Sequence, residues 1–203
     1  MTTLPAHNIL VCGIGGQGVM TAAEVLAQTA IDHGFDAKKS EVAGMAQRGG
    51  VVTSHVRIGP RVLSPVIAPG TVDLLAAFEI AEALRWCDQV RPGGRVVASS
   101  QQLVPPVVSG GLYTYPDDAV GLLRGAGVAI GFDVRVIDAG EIAGALGDRK
   151  LINTIMLGAL ADALPFPAEA MEAKIVERFQ VRKPALAALN RQAFAAGREA
   201  AAK

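Results

Sequence analysis

Residues 8–30 read NILVCGIGGQGVMTAAEVLAQTA, and the fold turns on how this stretch is parsed. Asn8 to Cys12 is an apolar run of strand length. Gly13-Ile14-Gly15-Gly16-Gln17-Gly18 then spells G-x-G-x-x-G. From Gly18 to about His33, Val19, Ala22, Ala23, Leu26 and Ala30 recur at helical spacing, and Gly34 stands where a helix end favours glycine. Strand, glycine loop and helix in that order open a parallel α/β unit. The glycines allow a tight turn and close backbone approach, and the helix start favours an anion.

The same pattern serves dinucleotide-binding enzymes, which carry an acidic residue about 20 positions on, at the end of the second strand. Asp36 falls at the start of the next extended segment, Asp36 to Val42, and Glu41 lies within Lys38-Lys39-Ser40-Glu41. The alignment is poor. A nicotinamide dehydrogenase is therefore the weaker reading, beside another ligand or tight packing alone. The polarity of residues 36–42 places that strand near an edge or an opening of the sheet.

Further along, Val51 to Ile58 alternates and is β-branched, as a strand should be. A short strand is expected near Val66-Ile67, another over Asp73 to Phe78, and a helix from about Ala81 to Val90. Arg91 to Gly94 reads as a turn before a strand at Arg95 to Ala98. Ser99 to Gly111 reads as a loop, with Tyr113 and Tyr115 flanking an extended piece. Asp117 to about Gly125 reads as a helix, and Val134 to Asp138 as a strand. Beyond Ala139 the pattern is helical only: Leu151 to Leu164, then Pro167 to about Phe179, then a last helix after Pro184. The chain is expected to be α/β: a Rossmann-like, doubly wound, mostly parallel sheet over residues 1–138. A C-terminal helical extension, residues 139–203, would pack on that core, on a partner subunit, or on both. Leu186, Leu189 and Phe194 form a stripe suited to an interface, or equally to packing on its own domain.

Composition narrows the function. The 203 residues are 51% hydrophobic, and 19 basic residues balance 19 acidic ones. Neither a nucleic-acid nor a membrane-surface partner is expected from that balance. Met1 to His7 has no charged leader, and no apolar stretch reaches a membrane span, so a cytoplasmic location is expected. Cys12 and Cys87 cannot ligate a four-cysteine cluster, and His7, His33 and His55 are scattered, so no metal site is expected on this chain. There is no P-loop, no G-x-S-x-G elbow and no H-E-x-x-H, and no lysine follows Tyr113 or Tyr115 by four. No Gly-Asp-Gly occurs, Gly147-Asp148-Arg149 coming nearest, so this chain is not expected to hold thiamine diphosphate by itself. No catalytic residue is expected on this chain.

Ser40 to Arg57, SEVAGMAQRGGVVTSHVR, is the second informative stretch. Gln47 and Arg48 stand at the tip of a glycine-rich connection, beside Gly49 and Gly50. An arginine beside a Gly-Gly pair suits a phosphate or carboxylate, and is also met as a solvated loop residue. His55 reads as a hydrogen-bonded, half-buried strand histidine.

GIGGQGV, SEVAGMAQRGGVVTSHVR, NTIMLGAL at Asn153 to Leu160 and KPALAALNRQAF at Lys183 to Phe194 together resemble the gamma module of the 2-oxoacid:ferredoxin oxidoreductases. Ala-Gly-Met-Ala-Gln before Arg48 favours the indolepyruvate branch and its small, or beta, subunits. The resemblance spans nearly the whole chain. It implies a hetero-oligomer in which a large (alpha) subunit holds thiamine diphosphate, magnesium and 4Fe-4S clusters. That subunit decarboxylates an aryl-pyruvate and passes electrons to ferredoxin or another acceptor, and the acyl group goes to coenzyme A. The gamma module, inactive alone, completes the assembly and helps form the coenzyme A channel. Gly13, Gly15, Gly16, Gln17, Gly18, Gln47, Arg48, Gly49 and Gly50 are the expected contacts. A purely structural subunit whose loop meets no ligand is the remaining reading.

Overall fold

A computed structural model describes residues 6–43, 50–104, 114–180 and 184–203. The first strand, β1 (His7–Ile14), enters α1 (Val19–Asp32) through the glycine loop, as the opening stretch requires. β2 (Asp36–Ala43) and β3 (Val51–Gly59) follow, then β4 (Val72–Ala77), α2 (Ile80–Trp86) and β5 (Val90–Ser99). Next come α3 (Ala119–Ile130), β6 (Asp133–Ile137), α4 (Ala139–Ala145), α5 (Ile152–Leu160), α6 (Ala168–Gln180) and α7 (Pro184–Ala202).

The strands form one sheet in the order β2-β3-β1-β4-β5-β6. β1, β4, β5 and β6 run parallel. β3 is antiparallel to both neighbours, which leaves β2 parallel to β1 but one strand removed from it. The sheet is thus mostly parallel, with a Rossmann-like right half and an inserted antiparallel strand on the left. β2 lies at the edge, as its polarity required. Lys39 there pairs with Glu24 and Glu41, so charge covers an edge otherwise open to pairing.

Alternate residues of β1 divide the core. Ile9 and Val11 face α1, and the same apolar cluster continues through α4, α5, α6 and α7. Leu10 and Cys12 face α2, α3 and Ile67. The helical end therefore covers the part of the first face that α1 does not reach. Phe194 is buried at 2% exposure and Leu189 packs against the same cluster, so the stripe read as an interface turns inward. Leu186 instead borders a cavity described below.

Smaller expectations change for local reasons. Arg91 to Gly94 is part of β5, with the register slipping opposite Val72 and Leu74. Residues 66–67 form no strand; Ile67 turns into the core and its N–H donates to His55 Nδ1 at 3.1 Å. α2 ends at Trp86 and tightens to a 3-10 turn at Cys87–Gln89, and 3-10 turns bracket α5. α3 runs past Gly125 to Ile130, ending on Gly131 in the left-handed region. The loop expected from Ser99 to Gly111 is described only as far as Val104, and Tyr113 lies outside the described residues.

Candidate functional site

α1 leaves β1 toward one face of the sheet, and α2 leaves the adjacent β4 toward the other. A crevice opens at such a switch, at the carboxyl ends of the strands. The glycine loop crosses its floor. A Cβ on Gly13 would come within 2.8–3.0 Å of Gln17 Oε1, Phe78 Cβ and Val19 Cγ2, so loop, helix and β4 meet there without room for a side chain. Gln17 itself turns inward. Its Oε1 accepts from Ile14 N at 2.8 Å, and its Nε2 donates to Phe78 O at 2.8 Å and to Gln101 Oε1 at 3.2 Å. Read from the sequence as a ligand contact, Gln17 is positioned as a staple joining the loop to the ends of β4 and β5.

Gly15 N donates to Gly50 O at 2.8 Å, which brings the two informative stretches together at one edge. Gly50 therefore stands at the mouth of the loop. Gln47, Arg48 and Gly49 lie outside the described residues. Gly16 and Gly18 have φ of +101° and +83°, conformations that side chains disfavour. Gly18 caps α1 without any side-chain hydrogen bond, and the first turn carries no acid. Among the described residues, the first N–H groups of α1 thus lack a side-chain acceptor, and they carry the positive end of the helix dipole.

Sequence reasoning missed the opposite wall. A cavity of about 220 Å³ at the loop is lined by Gly15, Gly16 and Gln17 on one side. Gln101, Leu103, Arg149, Lys150, Ile152 and Asn153 line the other. Asn153 Nδ2 donates to Gly18 O at 2.7 Å, fixing the start of α5 against the start of α1. Asp148 Oδ1 accepts from Lys150 N at 2.9 Å and closes the turn that presents the basic pair. Among the described residues, neither Arg149 nor Lys150 has an ion-pair partner. One signal for them was legible. Two cations directly before a helix, with no acid in its first turn, oppose the helix dipole. Local rules broken in this way are expected at functional or strained sites.

Behind the crevice, Glu79 anchors the segment that follows β5. Its Oε2 accepts from Glu82 N at 2.9 Å, capping α2, and its Oε1 accepts from Leu103 N and from the Tyr115 hydroxyl. Burial, then the bond to Glu79, pushes the Tyr115 phenol above its ordinary range and keeps it a donor. His55 is held neutral by burial and accepts from Ile67 N, so it serves the segment between β3 and β4 rather than the crevice.

Glu82 gives a pH test of this buried layer. It is 1% exposed, and its Oε2 has no partner among the described residues. Burial raises its carboxyl pKa, against the opposing pull of Arg85. The folded state then holds that proton more tightly than the unfolded state. Stability should fall as pH rises from the unfolded value, about 4.3, to the raised folded value, and stay level above it. Glu82→Gln should flatten this decline and raise stability at pH 8 by on the order of 1 kcal/mol. Melting curves at pH 4 and pH 8 check it; equal slopes for the two proteins would refute it.

Among the described residues, no group of three or more His, Cys, Asp or Glu could hold a metal ion, and no helix is long and apolar enough to cross a membrane. Cys12 and Cys87 are both buried in the core against α2.

Comparison with known proteins agrees with the resemblance. Residues 8–200 match the model of the pyruvate ferredoxin/flavodoxin oxidoreductase family. The chain is 34% identical, over 96% of both chains, to the indolepyruvate oxidoreductase subunit IorB of Thermococcus kodakarensis. Its fold is shared by the gamma subunit of a keto/oxoacid ferredoxin oxidoreductase from Geobacter sulfurreducens, with a TM-score of 0.68 at 24% identity, covering 97% of this chain and 98% of that one. It also resembles part of a 2-oxoglutarate:ferredoxin oxidoreductase from Magnetococcus marinus, solved with 2-oxoglutarate, coenzyme A and succinyl-CoA. There the TM-score is 0.75 at 19% identity, and the match covers 98% of this chain and 31% of that one.

Proposed function

The chain belongs to the pyruvate ferredoxin/flavodoxin oxidoreductase family, and from that premise we propose that it is the small subunit of an enzyme converting indolepyruvate and related aryl-pyruvates to aryl-acetyl-coenzyme A. Its place as a subunit of a 2-oxoacid:ferredoxin oxidoreductase follows from the family itself. The aryl-pyruvate substrate rests on the likeness to the indolepyruvate-type small subunit. In this reading the large subunit holds thiamine diphosphate, magnesium and the 4Fe-4S clusters, and ferredoxin takes electrons from it. This chain does not fit a cluster-bearing role. Two thiols, both buried in the core, cannot supply four ligands.

The observation that carries its own role is the meeting of three features at one crevice. These are the Gly15–Gly50 contact and, among the described residues, an α1 start with no side-chain acceptor and the unpaired cations Arg149 and Lys150. Together they suit a pyrophosphate, with loop N–H groups donating and the two cations neutralising charge. Coenzyme A is the pyrophosphate-bearing substrate of this chemistry. Gly13, Gly15, Gly16 and Gly18 would shape the cradle, and Gln17 would hold it. Gly50, with Gln47, Arg48 and Gly49, completes the proposed set of contacts. Exposed apolar residues at the same edge, Met20, Val42, Leu103 and Val104 at 38–59% exposure, support an interface there with the large subunit.

The dinucleotide alternative loses its acid. β3 separates β2 from β1, setting them roughly 9–10 Å apart rather than one strand spacing. Glu41 is engaged with Lys39 at 2.7 Å, and Asp36 accepts from Val62 N at 2.8 Å.

In the assembled enzyme, the double variant Arg149→Gln, Lys150→Gln should raise the Michaelis constant for coenzyme A about 10- to 100-fold. Two charge-assisted contacts of about 1.5–3 kcal/mol each, partly screened at an exposed site, support that range. Arg48→Ala should act in the same direction. Oxoacid decarboxylation measured without coenzyme A should change little. Unchanged coenzyme A dependence in both variants would remove the coenzyme A assignment.

A further inference from the structure

A second, larger cavity of about 350 Å³ lies between α1, α5, α6 and α7, and borders the glycine loop. Its wall is largely apolar: Val25 of α1, Leu157 of α5, Ile175 and Phe179 of α6, and Leu186 of α7. Its polar floor is already satisfied. Thr154 Oγ1 donates to Asn190 Oδ1 at 2.6 Å, and Asn190 Nδ2 donates to Leu186 O at 2.8 Å. Three charged residues also line it. Asp148 is engaged in accepting from Lys150 N, whereas Lys150 and Arg178 have no ion-pair partner among the described residues.

This combination selects one kind of occupant. A hydrophilic anion would answer the cations and leave the apolar wall uncovered. A neutral apolar molecule would cover the wall and gain nothing from the charge. An organic cation would be repelled. The volume falls in the range of small-molecule sites, large enough for a ring with a short charged arm. We propose that this cavity binds a small amphipathic anion, an apolar body about the size of a phenyl ring bearing one carboxylate or phosphate. Its body would lie on Leu157, Ile175 and Leu186, and its head would face Lys150 and Arg178. Such a ligand would touch Gly16–Gly18 at one end and α7 at the other, and would hold the helical end and the glycine loop in fixed relation. It would act as an effector of the loop. The cavity shares Gly16, Gln17, Lys150 and Asn153 with the crevice lined by Arg149, but its apolar wall and Arg178 belong to it alone, and the inference does not rest on the coenzyme A reading.

Titration calorimetry on the full chain tests it with phenylacetate and phenyl phosphate as the two candidate head groups. Acetate and inorganic phosphate serve as heads without a body, and phenethylamine as a body with the opposite charge. At least one aromatic anion should bind ten times or more tighter than its bare head group and than the amine. Whichever of the two binds tighter identifies the head. Arg178 is exposed, so Arg178→Gln should fold normally and weaken that binding at least fivefold. Leu186→Trp should fill the cavity and abolish binding. If the bare anions bind as tightly as the aromatic ones, or if Arg178→Gln binds the aromatic anion like the parent chain, the proposal fails. Coenzyme A dependence in the assembled enzyme should survive Leu186→Trp, which keeps failure here distinct from failure at the crevice.

Discussion

Gly197→Val is expected to cost about 3 kcal/mol or more and to lower the melting temperature by about 6–12 °C, at ~2–4 °C per kcal/mol for a chain of this size. The reason is the crossing of α5 and α7. A Cβ on Gly197 would overlap the carbonyl of Ile155, and a Cβ on Gly158 would overlap the carbonyl of Phe194. Each helix thus presents a glycine to the other's backbone. A rotamer change relieves a clash with a side chain, but here only moving a helix makes room. α7 carries Ala193 and Phe194 into the core between sheet and helices, so its displacement would open that core. Gly125 in α3 and Gly144 in α4 provide the control. Nothing lies within 4 Å of a Cβ at either, and Gly→Ala there should stabilise by about 0.5–1 kcal/mol through the unfolded state. Calorimetric melting of the full chain decides; a Gly197→Val protein melting with the parent would refute the backbone contact.

In the letters of the sequence these four glycines are identical, which shows where sequence reading stops. Periodicity reports which face of a helix is buried, not how closely another helix approaches. β3 illustrates a second limit. Its alternating Val51 to Ile58 announced a strand, but a period of two reads the same in both directions. The connection held the missing information. Residues 44–50 are too few for a parallel crossover, which needs about a dozen or more, so β2 and β3 had to be antiparallel. The glycine loop was legible because its chemistry is local: strand, turn and helix are contiguous. Its opposite wall was not, because Asn153 reaches Gly18 across 135 positions. Only the misplaced charge of Arg149 and Lys150 before α5 hinted at it. The stripe of Leu186, Leu189 and Phe194 is legible as apolar, but periodicity does not say whether a partner or its own domain covers it. A helix needs its stripe buried, and the sheet face beyond α1 was as much in need of a cover as any partner.

Gly18→Val should raise the Michaelis constant for coenzyme A in the assembled enzyme by roughly 100-fold or more, and cost about 2–4 kcal/mol of stability. Two separate penalties meet at this residue. Its φ of +83° lies where a β-branched side chain is strained, at about 1–3 kcal/mol. Its Cβ would also sit 2.7 Å from Asn153 Nδ2, the atom that donates to Gly18 O. Valine therefore displaces Asn153, breaks the contact that sets α5 against α1, and shifts the first turn of α1. In the proposed cradle the N–H groups of that turn and the cations before α5 act on the same pyrophosphate. A displacement of about 1 Å between groups that must act together can cost on the order of 10²-fold. Gly16→Val separates the two penalties, because Gly16 shares the positive φ, at +101°, but nothing lies within 4 Å of its Cβ. It should lose stability from strain while affecting coenzyme A less than Gly18→Val does. Steady-state kinetics at a temperature where all variants remain folded, beside their melting curves, tests the pair. Unchanged melting of Gly18→Val would refute the tight turn. Lowered melting with an unchanged Michaelis constant would leave the turn as architecture and take the coenzyme A cradle away from it.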